Sequence, residues 1–501
     1  YYGNQQFLFV YEQFDDVRLV AAPPSSIGKF GGDTDNWIWP RHTGDFSMFR
    51  VYASKDNRPA AYSPQNVPYR PKKHFSISTK GVKEGDFTMI YGFPGNTQEY
   101  ILSDAVAYIA ERSDPAKIAI RTGRLDIITK AQESDPALRI HYAAKHASIA
   151  NAWKKWQGEA LGIDRRGTVA AKFDYETQFG LWSVGRPEYA GVVMGLRAEY
   201  DRIMDAYFAY EITRETLSTL PAAYTPEERS EECFARRKFA EQALWRHAFR
   251  EYGRCPKVYR TPSYAEGMAR YKSPEAYADA LFEAVWEGSD SVAMQPAVRL
   301  REETKRMLDH ISWMLGTKSL RNLNSKILNE LYTTYIKGLR EWDRERAFYP
   351  DANLTLRVAY GSVAGYEYAD GEYHKPQTTL DGIIAKDNPE IYDYDIPQSL
   401  RDLYASKNYG RWGTVIDGRR TVPVCFLATN HTTGGNSGSP VLNAGGELIG
   451  INFDRTWRST MSDLQFDPAI CRNIAVDIRY VLFTIDRIGG AEYLLKEMEL
   501  R

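Results

Sequence analysis

Residues 432–455 read "TTGGNSGSPVLNAGGELIGINFDR" and gather the side chains best suited to covalent chemistry. Ser437 lies two residues after Gly435 and just before Gly438, in a loop that leads into an apolar stretch. A serine that attacks an acyl carbon must stand on a tight turn, with its oxygen exposed and backbone N–H groups facing the developing oxyanion. Glycine permits that curl because it accepts positive φ without steric cost. The N–H groups of Gly435 and Ser437 are the expected oxyanion donors. The nucleophile elbow of α/β-hydrolases asks for Gly-x-Ser-x-Gly and a following helix. Here residue 439 is Ser and the pattern continues as a strand, so that reading fails.

A serine nucleophile needs a base and a carboxylate that orients the base. Asp45, in "RHTGDFSMFRVY", directly precedes an alternating strand and is the expected carboxylate. The eight histidines offer no matching base. His42 stands too close to Asp45 in the chain to face it from another strand, and His431 lies in the approach to the serine loop. His141 and His146 are five apart with no Glu between them, unlike a zinc-protease helix. The base is therefore expected N-terminal to Tyr1. The glycine loop, the strand after it, the Gly-Gly turn and the next strand resemble the nucleophile hairpin of chymotrypsin-like serine proteases. Gly-Asp before an apolar strand resembles the way that fold presents its aspartate.

The elements that must position these residues change texture along the chain. "FLFVYEQF", "RLVAAP", "DFSMFRVYAS" and "DFTMIYGFPG" are short β-branched or aromatic runs closed by turn formers. From about residue 105 to 345 apolar residues recur every three or four positions, as in amphipathic helices. Strand texture returns in "NLTLRVAYGSVAGYEY", "GRRTVPVCFLATN" and "GELIGINFD", and the final stretch reads as helical. The expected fold class is α+β, a chymotrypsin-like double β-barrel interrupted by a large all-α insertion domain. Residues 1–104 form an incomplete barrel part, 105–345 the inserted helical domain, 346–477 the barrel with the nucleophile, and 478–501 a C-terminal helical segment. Three independent domains are the alternative.

With 501 residues, 43% hydrophobic and 26% charged, the chain can bury more than one core. A net charge of −1 without a Lys/Arg block leaves no footprint for nucleic acid or a membrane surface. No apolar run approaches the ~18 residues a membrane span requires. The four cysteines form no Cys-x-x-Cys pair, and no metal or organic cofactor is expected.

Four blocks, "GGDTDNWIWPRHTGDFSMFRVY", "YGFPGNTQEY", "ASIANAWKKWQGE" and "TNHTTGGNSGSPVLNAGGELIGINFDRTW", resemble the bacterial dipeptidyl-peptidases 7 and 11, serine exopeptidases with a double β-barrel and an inserted helical domain. The resemblance implies that Asp45 and Ser437 are triad members, with the histidine in an N-terminal portion. It implies that Asn36, Trp37, Asn151 and Asp454 hold the free amine of an oligopeptide, and that Arg455 marks the acidic-specific type, where apolar-preferring members have glycine. Strand geometry supports one part of this: neighbours point to opposite faces, so Asp454 can meet the ammonium while Arg455 enters the side-chain pocket. An amine clamped two residues back lies roughly 7 Å from the attacked carbonyl, which measures out dipeptides. A guanidinium favours Asp or Glu, and withdrawing the acid would strand a desolvated cation, so discrimination of several kcal/mol is expected. The resemblance also implies export to the periplasm or cell surface of a Gram-negative bacterium, and a homodimer. The chain thus reads as a serine dipeptidyl-peptidase cleaving after Asp or Glu. A trypsin-like endopeptidase and a non-catalytic peptide-binding protein remain the other readings.

Overall fold

A computed structural model describes residues 2–288, 291–316 and 323–501. The chain divides into two compact units, one of Tyr1–Gln5 and Tyr100–Pro350, the other of Gln6–Glu99 and Asp351–Arg501.

The first unit is helical. Its long helices include Asp114–Ser134, Pro136–Arg165, Val192–Glu215, Ser291–Leu315 and Lys326–Trp342. Asp135 separates the first two: it is extended, its side chain accepts from the Ala137 N–H at 2.8 Å, and Pro136 opens the next helix where a missing N–H costs nothing. Leu125 and Ile128 from one helix then meet Leu138, Tyr142 and Ile149 from the other, the spacing of an apolar helical stripe.

All fourteen strands among the described residues belong to the second unit. They are β1 (Val17–Ala21), β2 (Met48–Ala53), β3 (Val67–Pro68), β4 (Phe87–Gly92), β5 (Arg357–Ser362), β6 (Tyr366–Ala369) and β7 (Glu372–His374). After these come β8 (Gln377–Thr379), β9 (Thr414–Ile416), β10 (Arg419–Thr421), β11 (Pro423–Ala428), β12 (Ser439–Leu442), β13 (Leu448–Arg455) and β14 (Asn473–Asp477). The main sheet has seven strands in the order β5-β4-β12-β13-β14-β11-β8, and a smaller one runs β1-β2-β3. Strand β4 pairs with β12 through Ile90 and Val441, which joins a strand from before the helical unit to one from after it. Ile90, Phe426, Val441, Ile449 and Ala475 form one core cluster, and each large apolar side chain buried there contributes about 1.5–3 kcal/mol. The helix Ile478–Phe483, buried at every position, packs against β11, β13 and β14.

Two expectations need correction. Among the described residues neither sheet closes on itself, because β5 and β8 stay the outer strands of one and β1 and β3 of the other. A barrel requires its outer strands to pair, so the closed double barrel is not found. The run "FLFVYEQF" is not a strand either; strand structure begins only at Val17, and Leu8 and Val10 are 91% and 88% exposed. Alternating apolar residues become a strand only where a neighbour takes up their backbone hydrogen bonds, and these have none among the described residues.

Candidate active site

The serine loop is shaped by its own glycines and held from beneath by asparagines. Gly435 has φ 107 and Gly438 has φ 80. A Cβ on Gly435 would come 2.4 Å from the Phe93 carbonyl oxygen and 2.8 Å from the Gly95 nitrogen. The Asn436 N–H donates to the Thr433 carbonyl at 3.0 Å, and Asn436 Oδ1 accepts from the Thr433 N–H at 3.1 Å. The Asn452 amide donates to the Asn436 carbonyl at 3.0 Å and accepts from the Asn473 amide at 2.9 Å. All three asparagines are buried, so the turn rests on a polar column that runs from the serine loop through β13 to β14. Ser437 itself is exposed, and its hydroxyl reaches the Phe453 carbonyl on β13 at 3.3 Å. Among the described residues the N–H groups of Gly435 and Ser437 donate to no backbone carbonyl. They are therefore available to a developing negative charge.

Two residues beyond Phe453, β13 ends in the charged pair. Asn452 pairs with Ala475 and Asp454 with Ile474, so Phe453 is the extra residue of a bulge. The side chains of Asp454 and Arg455 part company there. Asp454 turns toward the 35–41 segment, where its Oδ2 accepts from Arg41 Nη1 at 2.9 Å and from the Trp37 N–H at 3.3 Å. Arg455 turns the other way: Nη1 donates to Ser462 Oγ and Asp463 Oδ1, both at 2.7 Å, and Nη2 to Asp463 Oδ2 at 2.8 Å. Its Cζ lies 5.6 Å from the centre of the Trp37 ring. Trp37 adopts φ 67, a left-handed conformation unfavourable for a bulky residue, and is pinned by the Trp457 N–H donating to its carbonyl at 2.6 Å. The segment is further anchored by Asp35, which accepts from Lys386 at 2.7 Å and from the Tyr394 hydroxyl at 2.9 Å.

The guanidinium of Arg455 is therefore not the lone desolvated cation expected from sequence. Its fork closes on Asp463, and the ion pair is neutral before any peptide arrives. Neither Asp463 nor Arg41 was identified from the sequence. Arg41 lies four residues before Asp45, yet a buried arginine partner has no spacing signature that separates it from a surface arginine.

Asp45 stands in the same unit, at the end of the segment that carries Asn36, Trp37 and Arg41. The residue is exposed, but enough of the surroundings of its carboxyl is protein for loss of water to raise it above the ordinary carboxylate range; Arg41 opposes this and Asp454 reinforces it. Asn36 is half-buried beside Trp37. Asn151 lies exposed on the helix Pro136–Arg165 of the helical unit.

Of the sheet unit's histidines, three are paired with other groups and His42 is buried with its Nδ1 unpartnered among the described residues. His42 is buried, packs over Gly382, and is held down to about 3 by burial, with the Lys386 charge adding to it. His74 pairs with Glu499 at 3.2 Å and His374 with Glu372 at 2.7 Å. His431 donates through Nε2 to the Ser462 carbonyl at 3.0 Å and stacks on Phe466. Among the described residues one His/Cys/acid group has metal-like spacing: His141, Glu231 and Cys233 of the helical unit. Arg237 already fills that place, with Nη1 at 2.6 Å from His141 Nε2 and 3.3 Å from Glu231 Oε2. A second cation there would be repelled.

Comparison with known proteins places this geometry in context. The Asp/Glu-specific dipeptidyl-peptidase of Capnocytophaga gingivalis is 42% identical, the match covering 100% of this chain and 75% of that protein. Its counterpart in Flavobacterium psychrophilum is 43% identical, over 99% of this chain and 74% of that protein. The crystal structure of Porphyromonas endodontalis DPP11 in complex with the dipeptide Arg-Glu superposes with a TM-score of 0.82 at 35% identity, covering 97% of this chain and 75% of that one. The Peptidase S46 family model matches residues 1–232 and 229–500. With nearly every residue matched, the chain belongs to the Peptidase S46 family.

Proposed function

We propose that this protein is a serine dipeptidyl-peptidase that releases N-terminal dipeptides whose second residue is Asp or Glu. One observation carries the reading: the Ser437 hydroxyl lies 3.3 Å from the carbonyl of Phe453, and the next two residues are the divergent Asp454 and Arg455. Nucleophile, amine acceptor and acid-binding cation thus gather at one strand end. The Asp/Glu specificity of the two 42–43% identical relatives, and the Arg-Glu dipeptide in the P. endodontalis structure, agree with it.

In the proposed reaction Ser437 attacks the carbonyl after the second residue, and the amides of Gly435 and Ser437 receive the oxyanion. A histidine from outside these residues takes the serine proton, and Asp45 orients it, as in chymotrypsin-like proteases. Asp454 accepts the peptide's ammonium with Asn36 and Trp37 beside it, which fixes the cut two residues in. Asn151 joins the amine-binding set on the resemblance alone. Arg455 takes the acidic side chain. Because Asp463 already neutralises Arg455, an apolar second residue strands no cation. Selectivity then comes from hydrogen bonds to a charged group, about 1.5–3 kcal/mol. Export to the periplasm or cell surface and a homodimer belong to the same proposal. No helix among the described residues is long and apolar enough to cross a membrane.

The test uses dipeptide reporters ending in Asp, Glu or Leu, with free or acetylated amines. Acetylation should abolish cleavage of the acidic reporters; an endopeptidase would retain it. Ser437→Ala should lose turnover and still bind the dipeptide Arg-Glu. A wild-type protein that binds Arg-Glu without ever cleaving a reporter would favour the non-catalytic reading.

A further inference from the structure

Arg455 is held by more than its own backbone. Asp463, whose side chain is 14% exposed, grips both terminal nitrogens of a guanidinium that is itself 6% exposed, with distances of 2.7 and 2.8 Å. An end-on fork of this kind fixes the plane of the guanidinium and its depth, since both oxygens must stay in line with both N–H groups. Asp463 has little freedom of its own. It ends the short helix Trp457–Asp463, and its carbonyl accepts from the Gln98 N–H at 2.6 Å. Ser462 holds Nη1 from the preceding position, while the Ser462 carbonyl is tied to His431. On the other side Nη1 also donates to the Thr432 carbonyl at 3.3 Å, in the segment that leads into the serine loop. The cation is thus suspended between the 462–463 turn and the nucleophile segment.

Resting on the acidic specificity proposed above, we propose that Asp463 is the positioning residue of the acid-binding pocket: it sets the depth at which Arg455 waits, and so decides how far an acidic side chain must reach. Its carboxylate does not contact the peptide. It acts through Arg455, which makes the pocket a two-residue device in which the internal acid determines whether a short or a long substrate acid is the better fit.

Calorimetric binding of the dipeptides Arg-Asp, Arg-Glu and Arg-Leu tests this without requiring turnover. Asp463→Glu keeps the charge but lengthens the grip by one methylene, pushing the guanidinium toward the cleft. Binding should shift in favour of Arg-Asp over Arg-Glu by about threefold or more, with Arg-Leu unchanged. Asp463→Asn keeps the shape but removes the charge that neutralises Arg455, so Arg-Leu now strands an unpaired cation and should weaken about tenfold relative to both acidic dipeptides. A purely structural role would weaken all three alike, and that result overturns the proposal; so does an unchanged Asp:Glu ratio in Asp463→Glu. Should Asp463→Asn fail to fold, the Asp463→Glu ratio decides. As a further check, the double variant Arg455→Ala/Asp463→Asn should melt higher than Arg455→Ala, because it removes the buried acid left without its partner; a lower melting point counts against the pairing. A wild-type protein with no preference among the three dipeptides would sink the specificity reading, and this inference with it. A wild type that prefers acids while Asp463→Glu keeps its ratio would sink the inference alone.

Discussion

Asp45 and His42 stand three residues apart and are pushed in opposite directions by the same cause, loss of water. Although Asp45 is exposed, partial loss of water raises its carboxyl above its ordinary 3.8, with Arg41 opposing and Asp454 adding. A carboxyl raised on folding contributes stability below 3.8 that is lost as pH climbs through the folded value. At neutral pH its charge therefore burdens the fold. Asp45→Asn should melt at a higher temperature than wild type at pH 7, with the gap closing as the pH approaches 4, while peptide turnover disappears. For His42 the sign is reversed: the unfolded chain takes up a proton near 6.5 and the folded chain only near 3. Stability should be complete above 6.5 and fall between 6.5 and 3, and by pH 4.5 this one group costs about 3 kcal/mol, read as the part of the urea-unfolding slope against pH that His42→Asn removes. Residue types were the most legible level of this protein. Ser437 and Gly435 stand out as candidates because a serine nucleophile demands a tight glycine turn, whereas Asp454 and Arg455 stand out through the family resemblance, with strand alternation in support. Arg41 and Asp463 do not: Arg41 is recruited by Asp454 from the far end of the chain, and Asp463 lies only eight residues past Arg455, across a turn that has no spacing signature.

The elements were legible wherever local pattern and pairing agree. The runs around β2, β4, β11 and β13 alternate or are wholly apolar, and each has a neighbour to pair with. "FLFVYEQF" carries the same pattern and fails for want of a partner, and open sheets stand where a closed barrel was expected. Pairing between distant segments has no local signature. The serine loop shows the converse, a conformation made possible by its own glycines. At Gly435 an added Cβ meets the carbonyl of Phe93, whereas at Gly438, also at positive φ, it meets nothing within 4 Å. Gly438→Ala should cost only the left-handed backbone penalty, about 1 kcal/mol. Gly435→Ala should cost about 2–3 kcal/mol by thermal melting and abolish reporter cleavage, because the loop must open to relieve the clash. Equal losses at the two positions would contradict this.

At the scale of the whole chain, the helical unit has its own buried cluster, built from Leu125, Ile128, Leu138, Tyr142 and Ile149, and takes nearly all its residues from one uninterrupted stretch. Residues 100–350 expressed alone should therefore give helical circular dichroism and a single cooperative melt; a noncooperative transition would show that the cluster does not suffice. The sheet unit has no such independence. Strand β4 is complete by residue 92, yet both its neighbours, β5 and β12, begin only at residues 357 and 439. At about 5–20 residues per second, a ribosome takes roughly ten seconds to a minute to supply even the nearer one. Throughout that interval the nascent chain carries an apolar segment with no strand to pair with, beside helices that are already able to fold. Newly made protein should consequently depend on holdase chaperones during translation, and slowing elongation between codons 92 and 357 should increase insoluble product.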